Sequence, residues 1–394
     1  MARISDDMRV SVTLPIDAGS AALAGRVWLP EAQGPAVVAV RGDSLYDLSR
    51  LAPTMRDLIE AARPADLVRH GEGPRIGPLA EILANTPEGE RDRALPWLLA
   101  PTDLQAIKAA GVTFPRSMLE RVIEEQARGT PSKAQAIRAS VERQLGGDLA
   151  RLVPGSAEAA ELKRVLIEQG AWSQYLEVAI GPDAEIFTKA QPMSAVGHGM
   201  QAGLHPLSHW NNPEPEVVLL ITSRGAIAGA TLGNDVNLRD IEGRSALLLS
   251  KAKDNNASTA IGPFVRLLDA AFTLDSVRRI MVQLRVEGED GFELEGRSSM
   301  AEISRDPADL VAQLMGHHHQ YPDGAALFLG TMFAPTEDRG TPGAGFTHRI
   351  GDICRIHAPE LGTLTNLMTL CTEAPAWEFG CAALMRNLAR RGLL

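Results

Sequence analysis

Two hydrophobic periods divide the chain. Residues 10–48 alternate in the two-residue period of half-buried strands, through Val12, Leu14, Leu23, Val27, Leu29, Val38, Leu45 and Leu48, and are broken by Pro30, Gly34, Gly42 and Asp43. From about residue 55 to 99 the apolar positions take helical spacing, punctuated by Pro64, Gly71, Gly73, Pro74 and Pro78, and Pro101 marks a boundary. Helical spacing continues over 117–126, 132–145 and 157–169, with Ser132 placed to cap the second and Gly170 to stop the third. Beyond Gly170 the strand period dominates, at 185–189, 217–221, 226–232, 280–286, 326–329, 353–357 and 364–368. Residues 192–207 read as a loop, and 306–315 as a helix with Pro307 at its first position. Many strands with few long helices between them predict an α+β sheet roll and not a doubly wound sheet. The 394 residues, 45% of them hydrophobic, suffice for two cores: a smaller N-terminal α/β domain over 1–104 and a main domain over 105–394.

The most informative stretch is Glu214-Pro215-Glu216 with the β-branched run that follows it. Positions two apart on a strand face the same side, so Glu214 and Glu216 set two carboxylates together, at a cost that a cation would relieve. Residues 222–225 read as a turn. A hairpin centred at Arg224 or Gly225 brings Asp235 opposite these glutamates. Three converging carboxylates are hard oxygen ligands, which suit Mg²⁺ or Mn²⁺ better than Zn²⁺.

Other features narrow the function by exclusion. A net charge of −10 disfavours a nucleic-acid surface, and the arginines at 386–391 alternate with apolar residues as on a helix face. No apolar run reaches the length of a membrane span, and Asp6-Asp7 interrupts the N-terminus, which leads us to expect a cytoplasmic protein. Cys354, Cys371 and Cys381 have no metal-type spacing and read as reduced thiols. His317-His318-His319 cannot all face one metal from a helix and read as a solvated helix end. The glycines at 340, 343 and 345 lack the Lys-Ser/Thr of a phosphate loop. Lys253, in a polar loop, reads locally as a surface lysine; beside a divalent cation its charged form would be disfavoured, which helps it serve as a base, although nearby carboxylates push the other way.

These residues form a pattern. Gly233-Asn234-Asp235-Val236-Asn237-Leu238-Arg239-Asp240, with Glu214-Pro215-Glu216 before it and Lys253 and Ile261-Gly262-Pro263 after it, resembles the fumarylacetoacetate hydrolase family. The likeness extends through Phe187-Thr188-Lys189-Ala190-Gln191-Pro192, Phe328-Leu329-Gly330-Thr331 and Ile350-Gly351-Asp352-Ile353-Cys354, over about residues 105–370. It implies the family's mixed β-roll with a smaller N-terminal domain, and a homodimer or homotetramer. It also implies Mg²⁺ or Mn²⁺ on Glu214, Glu216 and Asp235, an active-site lysine at Lys253, and substrate contacts at Gly330 and Thr331. Hydrolytic members carry a histidine where this chain has Ser117. The Phe114-Pro115-Arg116-Ser117 pattern, together with Glu185, resembles the family's sugar-acid dehydratase branch. That branch implies a 2-keto-3-deoxy-pentonate substrate dehydrated to 2,5-dioxopentanoate, with Lys253, Glu185 and Ser117 as catalytic candidates and Arg116 and Thr259 as substrate contacts. Ser258 is the alternative to Thr259. The family alternatives are an acylpyruvate-type hydrolase or an oxaloacetate-type decarboxylase, for which His198, His205 or His209 would have to supply a base.

Overall fold

The computed structural model of the chain describes residues 3–134, 137–138, 152–168, 170, 172–333, 335–342 and 345–394. Five strands lie before residue 104: β1 (Leu23–Leu29), β2 (Gly34–Arg41), β3 (Ser44–Asp47), β4 (Arg75–Pro78) and β5 (Trp97–Leu99). Next come β6 (Ala106–Gly111), β7 (Glu185–Ala190), β8 (Gln201–Leu204), β9 (Pro215–Ile221), β10 (Ile227–Asp235) and β11 (Thr259–Leu267). The last are β12 (Met281–Glu287), β13 (Glu293–Ser299), β14 (Ala325–Phe328), β15 (Ile353–Ala358) and β16 (Gly362–Leu370). One sheet of eleven strands runs β4-β3-β2-β1-β11-β10-β9-β14-β6-β7, with β5 also on β1, and a second of five runs β13-β12-β15-β16-β8. Most neighbours are antiparallel, but β14 pairs parallel with β6 and β16 with β8, so both sheets are mixed, as in the expected roll. The N-terminal strands extend the larger sheet through the pairing of β1 with β11.

β9 sits at the centre because neither of its faces can tolerate water. Val217, Leu219 and Ile221 enter the core shared with Val282, Leu284 and Val286 of β12 and Ile356 of β15, between the two sheets. Val218 and Leu220, pointing the other way, pack in the cluster that contains Met55, Leu58 and Val68. An apolar run without alternation is what burial on both faces demands.

The local readings hold where periodicity is strong. The helices Pro115–Ala127, Ala157–Glu168 and Pro307–Leu314 fall where expected, the last capped by the Asp306 carboxylate, which accepts from the Ala308 N–H. The helix expected over 132–145 lies mostly outside the described residues. Three readings are corrected. Residues 55–99, read as helical, also hold the strands β4 and β5. Residues 10–14 alternate like a strand, but Val10–Thr13 is a short helical turn, and Thr13 uses its hydroxyl on His198. The 192–207 loop contains β8, whose Gly203 fits against the Asn256 carbonyl and Cys371 where a side chain would collide.

Replacing Leu219 by alanine, on the face of β9 between the sheets, is expected to cost about 2–5 kcal/mol. Urea unfolding measures this, and a change near zero would mean that the face is loosely packed.

Candidate active site

The hairpin closes as its residues require. Gly225 takes the positive φ of the turn (81°), and the ladder then pairs Glu216 with Gly233 and Pro215 with Asn234. The Asp235 N–H donates to the Glu214 carbonyl at 3.0 Å, so Asp235 stands opposite Glu214, as the turn symmetry predicts. Each of Glu214, Glu216 and Asp235 offers a carboxylate oxygen within 4.8 Å of the others', and all three side chains are buried.

Neighbouring elements hold these carboxylates in place. The Gly330 N–H donates to Glu216 Oε2 at 2.6 Å, and the Thr331 hydroxyl lies 3.4 Å from Glu216 Oε1. Gly330 can turn this way because its φ is 101° and a Cβ there would collide with the Thr113 hydroxyl. Lys253, ending the helix Leu249–Lys253, ion-pairs with Glu214 and lies 3.2 Å from Asp235 Oδ2, while the fully buried Lys189 lies 3.1 Å from Asp235 Oδ1. Lys189 also donates to the carbonyls of Lys253 and Ser258. From the other side the helix Pro115–Ala127 presents Arg121, which bonds Glu214 and lies 2.8 Å from Glu124 and 2.7 Å from Glu242. Glu124 and Glu120 in turn hold Arg239, at 2.6 Å and 3.2 Å, so the helix is tied to the segment just past Asp235.

These groups border a small, partly open cavity lined by Gly111, Ser117, Arg121, Glu185, Phe187, Glu214, Glu216, Asp235, Glu242, Lys253 and Thr331, with Ala110 and Val112. Of the residues singled out from the sequence, it gathers Lys253, Glu185, Ser117, Thr331 and the three carboxylates. Gly330 reaches it through its N–H to Glu216. Thr259 pairs with Asp235 in the ladder but is not among the lining residues, and its buried hydroxyl has no partner. Ser258 is likewise outside the lining, and its hydroxyl donates to the Lys253 and Asn255 carbonyls. Arg116 is in the first turn of the helix, and its side chain lies outside the described residues. None of the lining residues is a histidine. Arg121 and Glu242 were missed by the sequence reading. The signal for Arg121 was its place one helical turn after Ser117, on the same face.

The charges do not balance. Five carboxyls line the cavity (Glu185, Glu214, Glu216, Asp235 and Glu242) against Arg121 and Lys253, with Lys189 behind Asp235 as a third cation. With all five ionised, negative charge is in excess over these three cations. Its effect falls on Glu216, whose carboxyl is pushed well above its ordinary range by burial and by repulsion from Asp235 and Glu214. Burial also opposes ionisation of Glu214, but Lys253 and Arg121 outweigh it and hold that carboxyl below its ordinary value. Burial raises Glu185, against the pull of Arg121 and Lys253, and takes Glu242 to about 7. Burial disfavours the charge on Lys253 too, yet Asp235, Glu214 and Glu242 together keep its pKa above the ordinary lysine value. Three oxygen donors carrying uncompensated charge fit Mg²⁺ or Mn²⁺.

His198, raised as an alternative base, lies outside the cavity. Its Nδ1 accepts from the Thr365 N–H at 3.0 Å and its Nε2 meets the Thr13 hydroxyl at 3.2 Å, so it joins the N-terminal turn to β16. Burial takes its pKa down to about 3. His205 and His209 are also absent from the cavity lining.

Comparison with known proteins gives a consistent picture. Residues 211–369 match the family described as fumarylacetoacetate (FAA) hydrolase C-terminal. A probable 2-keto-3-deoxyxylonate dehydratase of Haloferax volcanii is 26% identical over 333 residues, 84% of this chain and 95% of that protein. A 2-dehydro-3-deoxy-D-arabinonate dehydratase of Saccharolobus solfataricus is 31% identical over 183 residues, 46% of this chain and 57% of that protein. Among solved structures, a 2-keto-3-deoxy-D-arabinonate dehydratase complexed with magnesium and 2,5-dioxopentanoate superimposes with a TM-score of 0.60 at 19% identity, covering 88% of this chain and 99% of that one. A 5-carboxymethyl-2-hydroxymuconate delta-isomerase from Mycobacterium smegmatis has the same fold at a TM-score of 0.52 and 17% identity, covering 88% and 98%.

Two outcomes follow from the site. Asp235→Asn should abolish Mn²⁺ binding in calorimetry while leaving the circular dichroism spectrum intact, and native affinity in that variant would remove Asp235 from the ligand set. For His198, the unfolded chain takes up a proton as pH falls below 6.5 while the folded chain excludes it down to about 3, so stability is lost across that window. The loss should reach about 3 kcal/mol near pH 4.5. His198→Gln should flatten the corresponding part of the pH–stability curve, and an unchanged slope would mean that the imidazole titrates normally.

Proposed function

We propose that the protein, whose residues 211–369 match the fumarylacetoacetate hydrolase family, is a divalent-metal-dependent dehydratase. It would convert 2-keto-3-deoxy-D-pentonate, the D-arabinonate or D-xylonate derivative, to 2,5-dioxopentanoate. One observation carries the choice of reaction. The cavity that holds the three carboxylates also holds a carboxylic acid, Glu185, of raised proton affinity, and it is lined by Ser117 and by no histidine. Ser117 donates its hydroxyl to the Phe114 carbonyl at 2.9 Å. A serine cannot take a proton from water near neutral pH as an imidazole does, which removes the base that acylpyruvate hydrolysis requires. The similarity to the probable 2-keto-3-deoxyxylonate dehydratase of Haloferax volcanii, over 84% of this chain and 95% of that protein, supports the same reading.

Glu214, Glu216 and Asp235 would hold Mg²⁺ or Mn²⁺, which when bound supplies Lewis-acid polarisation of a 2-keto acid. The protein's own groups divide the remaining work. Lys253 handles the C3 proton. Asp235 and Glu214 now keep it protonated, and neutralising those carboxylates is what frees its amine. Phe187 lies under it, with Nζ 5.8 Å from the ring centroid, and limits where the ammonium can go. Glu185, protonated more readily than an ordinary glutamate, gives its proton to the departing C4 hydroxyl, and Ser117 orients a water beside it. Thr331 and Arg116 provide polar contacts to the substrate. Loss of one water between C3 and C4 leaves an unsaturated alcohol, which tautomerises through C5 to the aldehyde.

In this reading residues 105–394 carry catalysis, residues 1–104 form a smaller supporting domain, and the enzyme works in the cytoplasm as a homodimer or homotetramer. Among the described residues no helix is long and apolar enough to cross a membrane, and the three cysteines are free thiols.

Incubation of the purified protein with 2-keto-3-deoxy-D-xylonate and Mg²⁺ should release 2,5-dioxopentanoate, detected as its semicarbazone or by coupling to an aldehyde dehydrogenase. An absence of turnover accompanied by cleavage of acylpyruvates would sink the dehydratase in favour of the hydrolase.

A further inference from the structure

Gly111 ends β6 and pairs with Glu185 at the start of β7. A glycine in a strand weakens it, through backbone entropy and a missing side chain, and marks either a special φ or a close approach. Gly111 is not among the glycines with positive φ, so its backbone conformation is open to any residue. The close approach is what remains. A Cβ at 111 would lie 2.7 Å from Glu185 Cδ and 3.3 Å from its Cγ, and nearer still to Oε2; these three atoms of one side chain are its nearest neighbours. No backbone atom is among them. The Glu185 side chain therefore lies across the ladder in the space that a side chain at 111 would fill, and both residues line the cavity.

We propose that Gly111 is a positioning residue for the reaction: its missing side chain is the berth that holds the Glu185 carboxyl in the cavity, across from Lys253 and the carboxylate triad. This rests on the assignment of Glu185 as the acid at C4. Phe187, two residues along β7 and so on the same face, also lines the cavity, which confirms that this face of the strand points inward. The atoms a methyl group at 111 meets first are all at the end of one flexible side chain. The fold should accept the change, and only the placement of the acid should be lost.

Gly111→Ala is the test, in the full chain with Mg²⁺. Its melting temperature should equal or exceed that of the native protein, its KM and Mn²⁺ affinity should stay near native, and kcat should fall about 10–100-fold, as when a supporting contact to a reacting group is removed. Combined with Glu185→Gln, it should cause no further loss, because it acts only through that carboxyl. A native kcat in Gly111→Ala, or an equal fold-loss on top of Glu185→Gln, overturns the inference. If Gly111→Ala lowers the melting temperature, adding Glu185→Ala should restore it; a temperature that stays low means the methyl meets something other than Glu185 and also overturns it. Full activity in Glu185→Gln alone would instead defeat the assignment of the acid.

Discussion

Everything around the cavity answers to one constraint: three carboxylates are held together out of water. Burial of one such group costs several kcal/mol unless it is paired, and mutual repulsion adds to the cost. The neighbouring elements distribute the compensation unevenly. Glu214 receives two cations and Asp235 two lysines, whereas among the described residues Glu216 is in direct contact with the Gly330 N–H and the Thr331 hydroxyl and with no cation. The imbalance at Glu216 is the observation that supports the proposed cation site.

The hairpin that creates this constraint was legible from the residues themselves. A doubly buried strand has a continuous β-branched signature, and a turn fixes which residues face one another, so the meeting of Asp235 with Glu214 needed no outside information. The ring around it was less so. Lys253 reads locally as a surface lysine, and Glu185 as the polar end of a strand; the family resemblance made Glu185 a candidate and strengthened Lys253 as one. Arg121 and Glu242 stayed hidden because a charged residue on a short helix looks the same in sequence whether it faces water or a cavity. Tertiary placement alone separates these cases.

Errors in the fold have comparable causes. β13, Glu293–Ser299, escaped notice because Leu294 is its one apolar side chain, which leaves too few apolar positions to show a period. Residues 10–14 have the strand period but no strand to pair with, and they turn instead to present Thr13 to His198. β8 is four residues in a stretch rich in glycine and histidine, and it is a strand because β16 offers it a parallel edge. In each case a neighbour distant in the sequence decided the outcome.

The helix Pro115–Ala127 touches the centre through Arg121, and the carboxylate it grips, Glu214, is one of the three proposed to hold the cation. Docking of this helix and loading of the site therefore draw on the same acceptor. Two events that share a group are thermodynamically linked, and the linkage runs equally in both directions. Whatever loosens the helix alters the grip on the ion, and whatever changes the ion's hold on Glu214 alters how firmly the helix is seated, so that this wall of the cavity and its charge form a single equilibrium.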